Sequence, residues 1–311
     1  MNNFYLSLRA ILLSVLLIGF QLGCSTNNPT TPSPAPTPVP APPSYSVLTF
    51  FGSSGPTSMA SPMGVGVSGN MLWVSSPNNG YLQAWTLAGS FSMAITTYKG
   101  TSLNGPWGVY VGPDGYVYLA DQGSPTAVEF SPTGIPVTNF GKAQSGTDPI
   151  LGVAVSSSNA YLLNYASSLI LRYTISGSGA AKVFNYQSSF GTTGPGTLNS
   201  PSGICVDNNS NLYVADSGNQ RMVKFDSTGV FQMAVTTNSN TQDVAIDSSG
   251  DIYVSNWSSA YNVQIFSPSG APLTQLGYPF FDCPSGLAFD ASGNLYVVDL
   301  CNNQVVVLKK N

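Results

Sequence analysis

The side chains in this sequence that are best suited to chemistry recur at one position of a repeated pattern, 40 to 52 residues apart. That position holds Ser76, Asp121, Asn164, Asp216, Asn256 and Asp299. Carboxylate and amide oxygens are suitable ligands for calcium, so the five Asp and Asn side chains could in principle converge on one ion. A repeated Asp or Asn at a strand end is more often a turn cap that accepts hydrogen bonds from nearby backbone N–H groups. We favour the cap, because these Asp and Asn residues recur at one position of the repeat.

The sequence contains few residues suited to other kinds of catalysis. The chain has no histidine, which removes the commonest general base and the usual zinc ligand. Glu129 is its only glutamate, and no motif provides a Ser/His/Asp or Cys/His nucleophile system. Only 7% of residues are charged, the net charge is −4, and no basic run occurs. Nucleic acids and anionic membrane surfaces are therefore poor partners.

The elements that must position these side chains come from a six-fold internal repeat. The copies occupy 61–89, 105–134, 148–177, 200–229, 241–270 and 283–308. Within a copy, short runs rich in Val, Ile and Tyr are separated by Gly, Asn, Asp and Ser clusters, which predicts four hairpin-connected strands, here called a to d. A period of this length indicates a solenoid, a propeller or an array.

The two ends of the repeat predict a closed ring. The sixth copy stops after strand c, whereas an orphan strand at 46–52 precedes the first copy and resembles the other d strands. If this strand completes the last blade, no sheet edge is left exposed. We therefore predict an all-β, six-bladed β-propeller closed by an N-terminal strand that pairs into the last blade. The aromatic residue that recurs in strand b is predicted to fill the space between blades; its copies are Trp73, Tyr118, Tyr161, Tyr213, Tyr253 and Tyr296.

The repeats resemble NHL repeats. The family pattern stands nearly intact in copy four, at 201–207, 211–216 and 219–225, and copy six keeps Pro284, Gly286 and Asp290. The resemblance implies the propeller fold and is compatible with several activities. Among enzymes of related fold, gluconolactonase-like propellers hold a divalent metal near the central channel. The resemblance thus makes a calcium-dependent lactonase-like hydrolase the enzymatic alternative, with Asp121, Asn164, Asp216, Asn256 and Asp299 as its ligands.

A recognition surface is predicted on the face that carries the d–a and b–c loops, which we call the loop face, because binding residues gather on loops held by a rigid scaffold. Its candidate ligand-binding residues are Trp107, Gln122, Tyr165, Asn219, Trp257 and Asn302. Exposed aromatic rings among amides suit a carbohydrate or an extended peptide. For Trp107, binding and packing have equal weight; for Trp257 we favour packing.

The N-terminal region predicts export and anchoring. Residues 1–23 have the composition of a signal peptide. Leu22-Gly23-Cys24 resembles the lipobox of bacterial lipoproteins, with Cys24 as the lipid-bearing residue, although an ordinary secretory signal is the alternative. A linker at 24–44 with eight prolines follows, and the propeller is assigned to 45–311. We expect the protein in the bacterial cell envelope, at the outer membrane, in the periplasm or on the cell surface.

The remaining cysteines fit an oxidising compartment. Cys283 lies just before strand a of the last blade and Cys301 just after its strand b, so antiparallel pairing places them side by side. We favour a disulfide over two reduced thiols. Cys205 lies within an apolar strand and is predicted to be a buried free thiol.

These observations predict a lipid-anchored, monomeric envelope propeller that binds a protein or glycan without catalysis. No cofactor is expected, and membrane contact is expected through the lipid anchor only. The calcium-dependent hydrolase is the first alternative, with calcium as its cofactor. A passive structural envelope protein is the second.

Overall fold

The computed structural model describes residues 43–52, 58–238, 240–257 and 262–311. The predicted signal peptide, Cys24 and the linker as far as residue 42 lie outside the described residues. All described residues belong to one compact unit, Pro42–Asn311. Within it they form six four-stranded antiparallel sheets and one small two-stranded hairpin.

Each sheet is one blade, with its strands in the order a to d. Blade 1 contains β2 (Val65–Ser68), β3 (Met71–Ser76), β4 (Tyr81–Thr86) and β5 (Phe91–Ile95). Blade 2 contains β8 (Pro106–Val111), β9 (Val117–Asp121), β10 (Thr126–Phe130) and β11 (Pro136–Phe140). Blade 3 contains β12 (Ile150–Val155), β13 (Asn159–Asn164), β14 (Leu169–Ser176) and β15 (Val183–Phe190).

The remaining blades follow the same plan. Blade 4 contains β16 (Gly203–Val206), β17 (Leu212–Asp216), β18 (Arg221–Phe225) and β19 (Phe231–Thr236). Blade 5 contains β20 (Thr241–Ile246), β21 (Ile252–Asn256), β22 (Asn262–Phe266) and β23 (Pro272–Leu276). Blade 6 contains β24 (Pro284–Phe289), β25 (Leu295–Asp299) and β26 (Gln304–Lys310), with β1 (Tyr45–Phe51) as its outermost strand.

Helical structure among the described residues is confined to short turns. The one α-helical turn, α1, spans Lys142–Ser145. The 3-10 turns are Pro77–Asn79, Gly179–Ala181, Gly194–Gly196, Ser217–Asn219 and Leu300–Asn302. No helix in the described ranges is long and apolar enough to cross a membrane.

The predicted ring closure is confirmed. β1 pairs antiparallel with β26, from Tyr45 opposite Lys310 to Phe51 opposite Val305. The N-terminal strand therefore supplies the d strand that the sixth copy lacks. It covers the outer edge of β26, which would otherwise be unpaired.

An extra hairpin follows the outer strand of blade 1, β5. That strand ends at Ile95, and β6 (Thr97–Tyr98) and β7 (Thr101–Ser102) then form a separate hairpin. The turn residues Lys99 and Gly100 both take positive φ, 47° and 83°, as a two-residue hairpin turn requires. The hairpin thus turns the chain out of the sheet before blade 2 begins.

The core is divided among the interfaces between blades. Six clusters of buried apolar side chains each combine residues from two neighbouring blades, with the pair of blades 6 and 1 included. The recurring strand-b aromatics, from Trp73 to Tyr296, are all at most 2% exposed, as predicted for spacers between blades. Each ring lies opposite one residue of strand a, which is small in five blades: Gly66, Ala154, Cys205, Ala245 and Ala288.

Candidate functional site: the central channel and the loop face

A channel of about 210 Å³ runs along the axis, and strand a of all six blades lines it. The strands approach closely where the repeat anchor is glycine: a Cβ on Gly108 would lie 2.5 Å from the carbonyl oxygen of Leu151 in the next blade. Serine hydroxyls add bonds from blade to blade, such as Ser202 Oγ to Thr241 O at 2.7 Å and Ser255 Oγ to Ser285 O at 2.6 Å. The channel wall is therefore rigid.

Blade 5 departs from this pattern, because its anchor is Asp243 where the other blades have glycine. Asp243 lines the channel, and its carboxylate Oδ2 accepts a hydrogen bond from Leu287 N in blade 6 at 2.9 Å. On its other side the carboxylate packs against Gly203 of blade 4, where any Cβ would collide with Oδ1. Burial raises the pKa of Asp243 to about 7, and the bonds from Leu287 and Val244 only partly oppose that rise.

Tyr110 is a second departure from the repeat pattern, and it occupies part of the channel. Tyr110 stands opposite Tyr118, at the strand-a position that is small in the other five blades. Its side chain packs against three of the buried clusters, those between blades 2 and 3, 3 and 4, and 4 and 5. Only a side chain that projects to the axis can reach all three. Burial raises the pKa of the Tyr110 hydroxyl, and the buried thiol of Cys205 lies next to it with a pKa well above its usual range.

Trp107 is the predicted ligand-binding residue that lines the channel. It belongs to β8 rather than to the preceding loop, is half-buried, and its carbonyl oxygen accepts a hydrogen bond from Ser75 Oγ of blade 1. Gln242 of blade 5 occupies the same repeat position and lines the same channel. Blades 2 and 5 are three steps apart in a ring of six, so these two residues face each other across the axis.

The other predicted ligand-binding residues lie in the b–c loops, around the channel rather than in it. Gln122 is half-buried beside Gly105, and Tyr165 is 39% exposed. Asn219 and Asn302 donate to Asp216 Oδ2 and Asp299 Oδ2 in their own blades, each at 2.8 Å. Trp257 is half-buried, and no described atom accepts a hydrogen bond from its indole nitrogen.

The recurring strand-b acids hold the loops of their own blades together. Asp121, Asp216 and Asp299 each accept a bond from a backbone N–H 17 residues earlier, in the d–a loop, at 2.8, 2.7 and 3.1 Å. Arg221 pairs with Asp216 at 2.8 Å and also donates to Pro195 O and Thr197 O. These contacts fasten the d–a loop to the b–c loop, a longer link than the adjacent turn cap that the sequence indicates.

The two Asn members of the series bond within their own blades, and Asn256 Oδ1 accepts from Thr241 Oγ1 of strand a at 3.3 Å. Asn164 Oδ1 accepts from Ser167 N at 3.1 Å, which is the predicted turn cap, and Asn256 Nδ2 donates to Val254 O at 3.0 Å. Within the described ranges no three His, Cys, Asp or Glu side chains come together in a way that could hold a metal ion.

The disulfide is confirmed: Cys283 and Cys301 are bonded, with their Cα atoms 5.3 Å apart. Cys283 N also donates to Asp299 Oδ1 at 3.1 Å, so the bond and the carboxylate secure the same loop of blade 6. Cys205 is a buried free thiol, as predicted.

A family model matches the two copies in which the repeat pattern is most intact. The NHL repeat model matches residues 198–225 and 281–308, which are the main parts of copies four and six. These two segments are similar to NHL repeats. The remaining four copies build blades of the same topology with weaker versions of the pattern.

Two curated proteins are similar to part of this chain. "Protein brain tumor" of Drosophila melanogaster is 28% identical over 136 residues, which is 40% of this chain and 13% of that protein. "B-box type zinc finger protein ncl-1" of Caenorhabditis elegans is 26% identical over 132 residues, 39% of this chain and 16% of that protein. The chain thus matches less than a fifth of the length of either relative.

Solved structures share the fold at low identity. A streptogramin B lyase structure has a TM-score of 0.62 at 13% identity, covering 86% of this chain and 98% of that one. The virginiamycin B lyase from Staphylococcus aureus, in a catalytically inactive form with one histidine replaced by alanine and with quinupristin, has a TM-score of 0.60 at 13% identity, covering 82% of each chain. At this identity the likeness shows the fold alone.

Sequence reasoning missed three residues of this site. Asp243 and Tyr110 are each the exception in an otherwise uniform column of the repeat, glycine in one case and small residues in the other. That irregularity is the signal that could have found them. Tyr278, in the d–a loop before blade 6, is 92% exposed, and nothing in the repeat pattern marks it.

Proposed function

We propose that this propeller is a non-catalytic binding module that holds a protein or glycan ligand on its loop face. The observation that carries the proposal is that exposed rings and amides lie on loops of this one face. Tyr278 is 92% exposed and Tyr165 39% exposed on that face, with Trp107 and Gln242 in the adjoining channel. Aromatic side chains left in solvent beside amides offer stacking and hydrogen bonding at small conformational cost.

The absence of catalysis in this proposal is supported by the residue inventory. One of the structurally similar lyases is inactive once a histidine is replaced, and the present sequence contains no histidine. The recurring acids, which could have supplied ligands for a hydrolytic metal, are used to fasten loops. Shared fold does not carry activity with it.

We also propose that the module is displayed from a bacterial membrane through lipid on Cys24. The 24–44 linker contains eight prolines and no charge, so it favours extended polyproline II and spans up to about 60 Å at about 3.1 Å per residue. Cys24→Ser is expected to abolish palmitate labelling and to move the protein from the membrane to the soluble fraction. Retention of both lipid label and membrane association in that variant would reject the anchor.

The binding proposal is tested by comparing variants of the two faces. The full chain is screened on glycan and peptide arrays, and binding of each hit is then measured in Trp107→Ala and Tyr278→Ala. We expect each change to weaken binding about tenfold or more, as loss of an aromatic anchor does. Val230→Ala is the matched control, since Val230 is 57% exposed in a c–d turn on the opposite face.

The passive structural alternative makes the opposite prediction. An array without specific hits, or hits that bind both loop-face variants and the Val230→Ala control equally, would leave the propeller without a loop-face ligand.

A further inference from the structure

The channel holds one charged side chain without a protein counter-ion. Among the described residues that line it, Asp243 is the one Asp, Glu, Lys or Arg. The fold itself does not need this carboxylate, because the other five blades place glycine at the same point. A carboxylate withdrawn from water is unfavourable unless a cation or several donors compensate it.

The surroundings of Asp243 supply donors but no cation. β24 contributes the Leu287 N–H and no titratable side chain, and β20 contributes none besides Asp243 itself. β16 brings the Cys205 thiol, behind which lie Tyr110 and Asp207. The thiol and the hydroxyl keep their protons and Asp207 is itself an acid, so none of the three supplies a cation to Asp243.

The opposite wall suits a cation. Trp107 of blade 2 lines the channel across the axis from blade 5, and an aromatic face attracts ammonium groups, tryptophan most strongly. On the Asp243 side of the channel, the side-chain oxygen of the neighbouring Gln242 is a further acceptor, while its Nε2 donates to Asn240 O at 3.1 Å. A channel of about 210 Å³ admits an aminoalkyl chain or a single sugar ring and excludes a folded domain.

We propose that Asp243 receives a primary ammonium group of the ligand, which enters the channel past Trp107. The inference rests on the proposed binding function and names the chemistry of its ligand. A lysine side chain of a protein and the amine of an amino sugar both carry this group. The bound ammonium group then serves as the counter-ion that no described side chain in the channel provides to Asp243.

The test uses probes that differ in the ammonium group. The full chain is titrated at pH 8 with N-acetyl-lysine amide against N-acetyl-norleucine amide, and with glucosamine against glucose, while the tryptophan indole resonances are followed by NMR. We expect at least one cationic probe to bind about tenfold more tightly than its neutral partner. The pair that discriminates tells a peptide source from an amino-sugar source.

Two variants of Asp243 make the result specific. Asp243→Asn keeps the shape and removes the charge, and Asp243→Gly restores the residue of the other five blades, so folding is preserved in at least the second. Both should lose the cationic preference. In the parent protein the preference should also weaken as the pH falls from 8 to 6, because Asp243 becomes protonated.

Several results would overturn the inference. They are equal affinity for cationic and neutral probes, no saturable shift with either cation, or a preference that survives in both Asp243 variants. If an array ligand still binds Asp243→Gly normally but fails with Tyr278→Ala, the ammonium site is wrong while the loop-face function stands. If no loop-face variant affects any ligand, the proposed function itself fails.

Discussion

Asp243 is the acidic residue that lines the channel, and it stands where the other five blades have glycine. Its neighbours on blades 4 and 6 touch it directly, so its protonation is coupled to the fold of the ring. The consequence at this scale is a measurable dependence of stability on pH.

Raising the pH should weaken the fold through Asp243. Its pKa is raised by burial to about 7, above the value near 4 of an unfolded chain, so between these values the folded state holds more protons. The free energy of unfolding should therefore fall between pH 5 and pH 8. After a discount for water in the channel, we expect about 1–2 kcal/mol. Urea unfolding of the parent and Asp243→Asn measures the difference, and identical pH profiles would contradict the assignment.

A second buried charge lies between blades 2 and 3. The Lys182 ammonium is 2.5 Å from Glu129 Oε1 and 2.6 Å from the Tyr118 hydroxyl, and the side chains of Lys182 and Glu129 are 4% and 0% exposed. Lys182 Nζ also lies 2.5 Å from Asp114 Oδ2, so it is the removal of Lys182 that leaves an uncompensated buried ion, Glu129. Lys182→Met should cost about 3–5 kcal/mol, whereas adding Glu129→Gln should recover much of the loss.

A double-mutant cycle by chemical denaturation measures this coupling. Lys309→Met is the control, since Lys309 is exposed and should change stability by no more than about 0.5 kcal/mol. Additive single and double effects would show that the pair is not coupled. The pair itself could not be predicted from sequence, because Lys182 and Glu129 meet only once blades 2 and 3 are placed side by side.

At the scale of elements, β1 carries the closure of the ring. Its side chains alternate, with Phe50 half in solvent and Phe51 buried in the cluster shared by blades 6 and 1. The sequence indicated this strand and its partner because the last copy was one strand short. The separate β6–β7 hairpin was not indicated, because its register depends on the backbone angles of Lys99 and Gly100 rather than on apolar alternation.

Two adjacent residues of β1 should differ sharply in their effect. Phe51 is 3% exposed and Phe50 is 50% exposed on the same strand. Phe51→Ala should therefore lower the free energy of unfolding by about 3–4 kcal/mol, and Phe50→Ala by less than about 1 kcal/mol. Thermal or urea unfolding of both variants gives the comparison. Equal, small effects would mean that β1 does not pack into blade 6.

At the scale of the whole molecule, six similar sheets build a ring. The residues that line its central channel differ from blade to blade. Blade number and closure were predictable, since both follow from a period and a missing strand. The contents of the channel were not, because which of Trp107, Tyr110 and Asp243 face one another depends on the position of each blade around the ring. The loop face and the channel together form the surface to which we assign binding.

Site-specific photo-crosslinking tests that assignment most directly. The full chain carries p-benzoylphenylalanine in place of Tyr278 on the loop face or, as the matched control, in place of Val230 on the opposite face, and is irradiated in the cells that produce it. The account predicts a discrete crosslinked ligand from the Tyr278 position, reduced by Trp107→Ala, and none from the Val230 position. A ligand captured equally at both positions, or only at Val230, would contradict it.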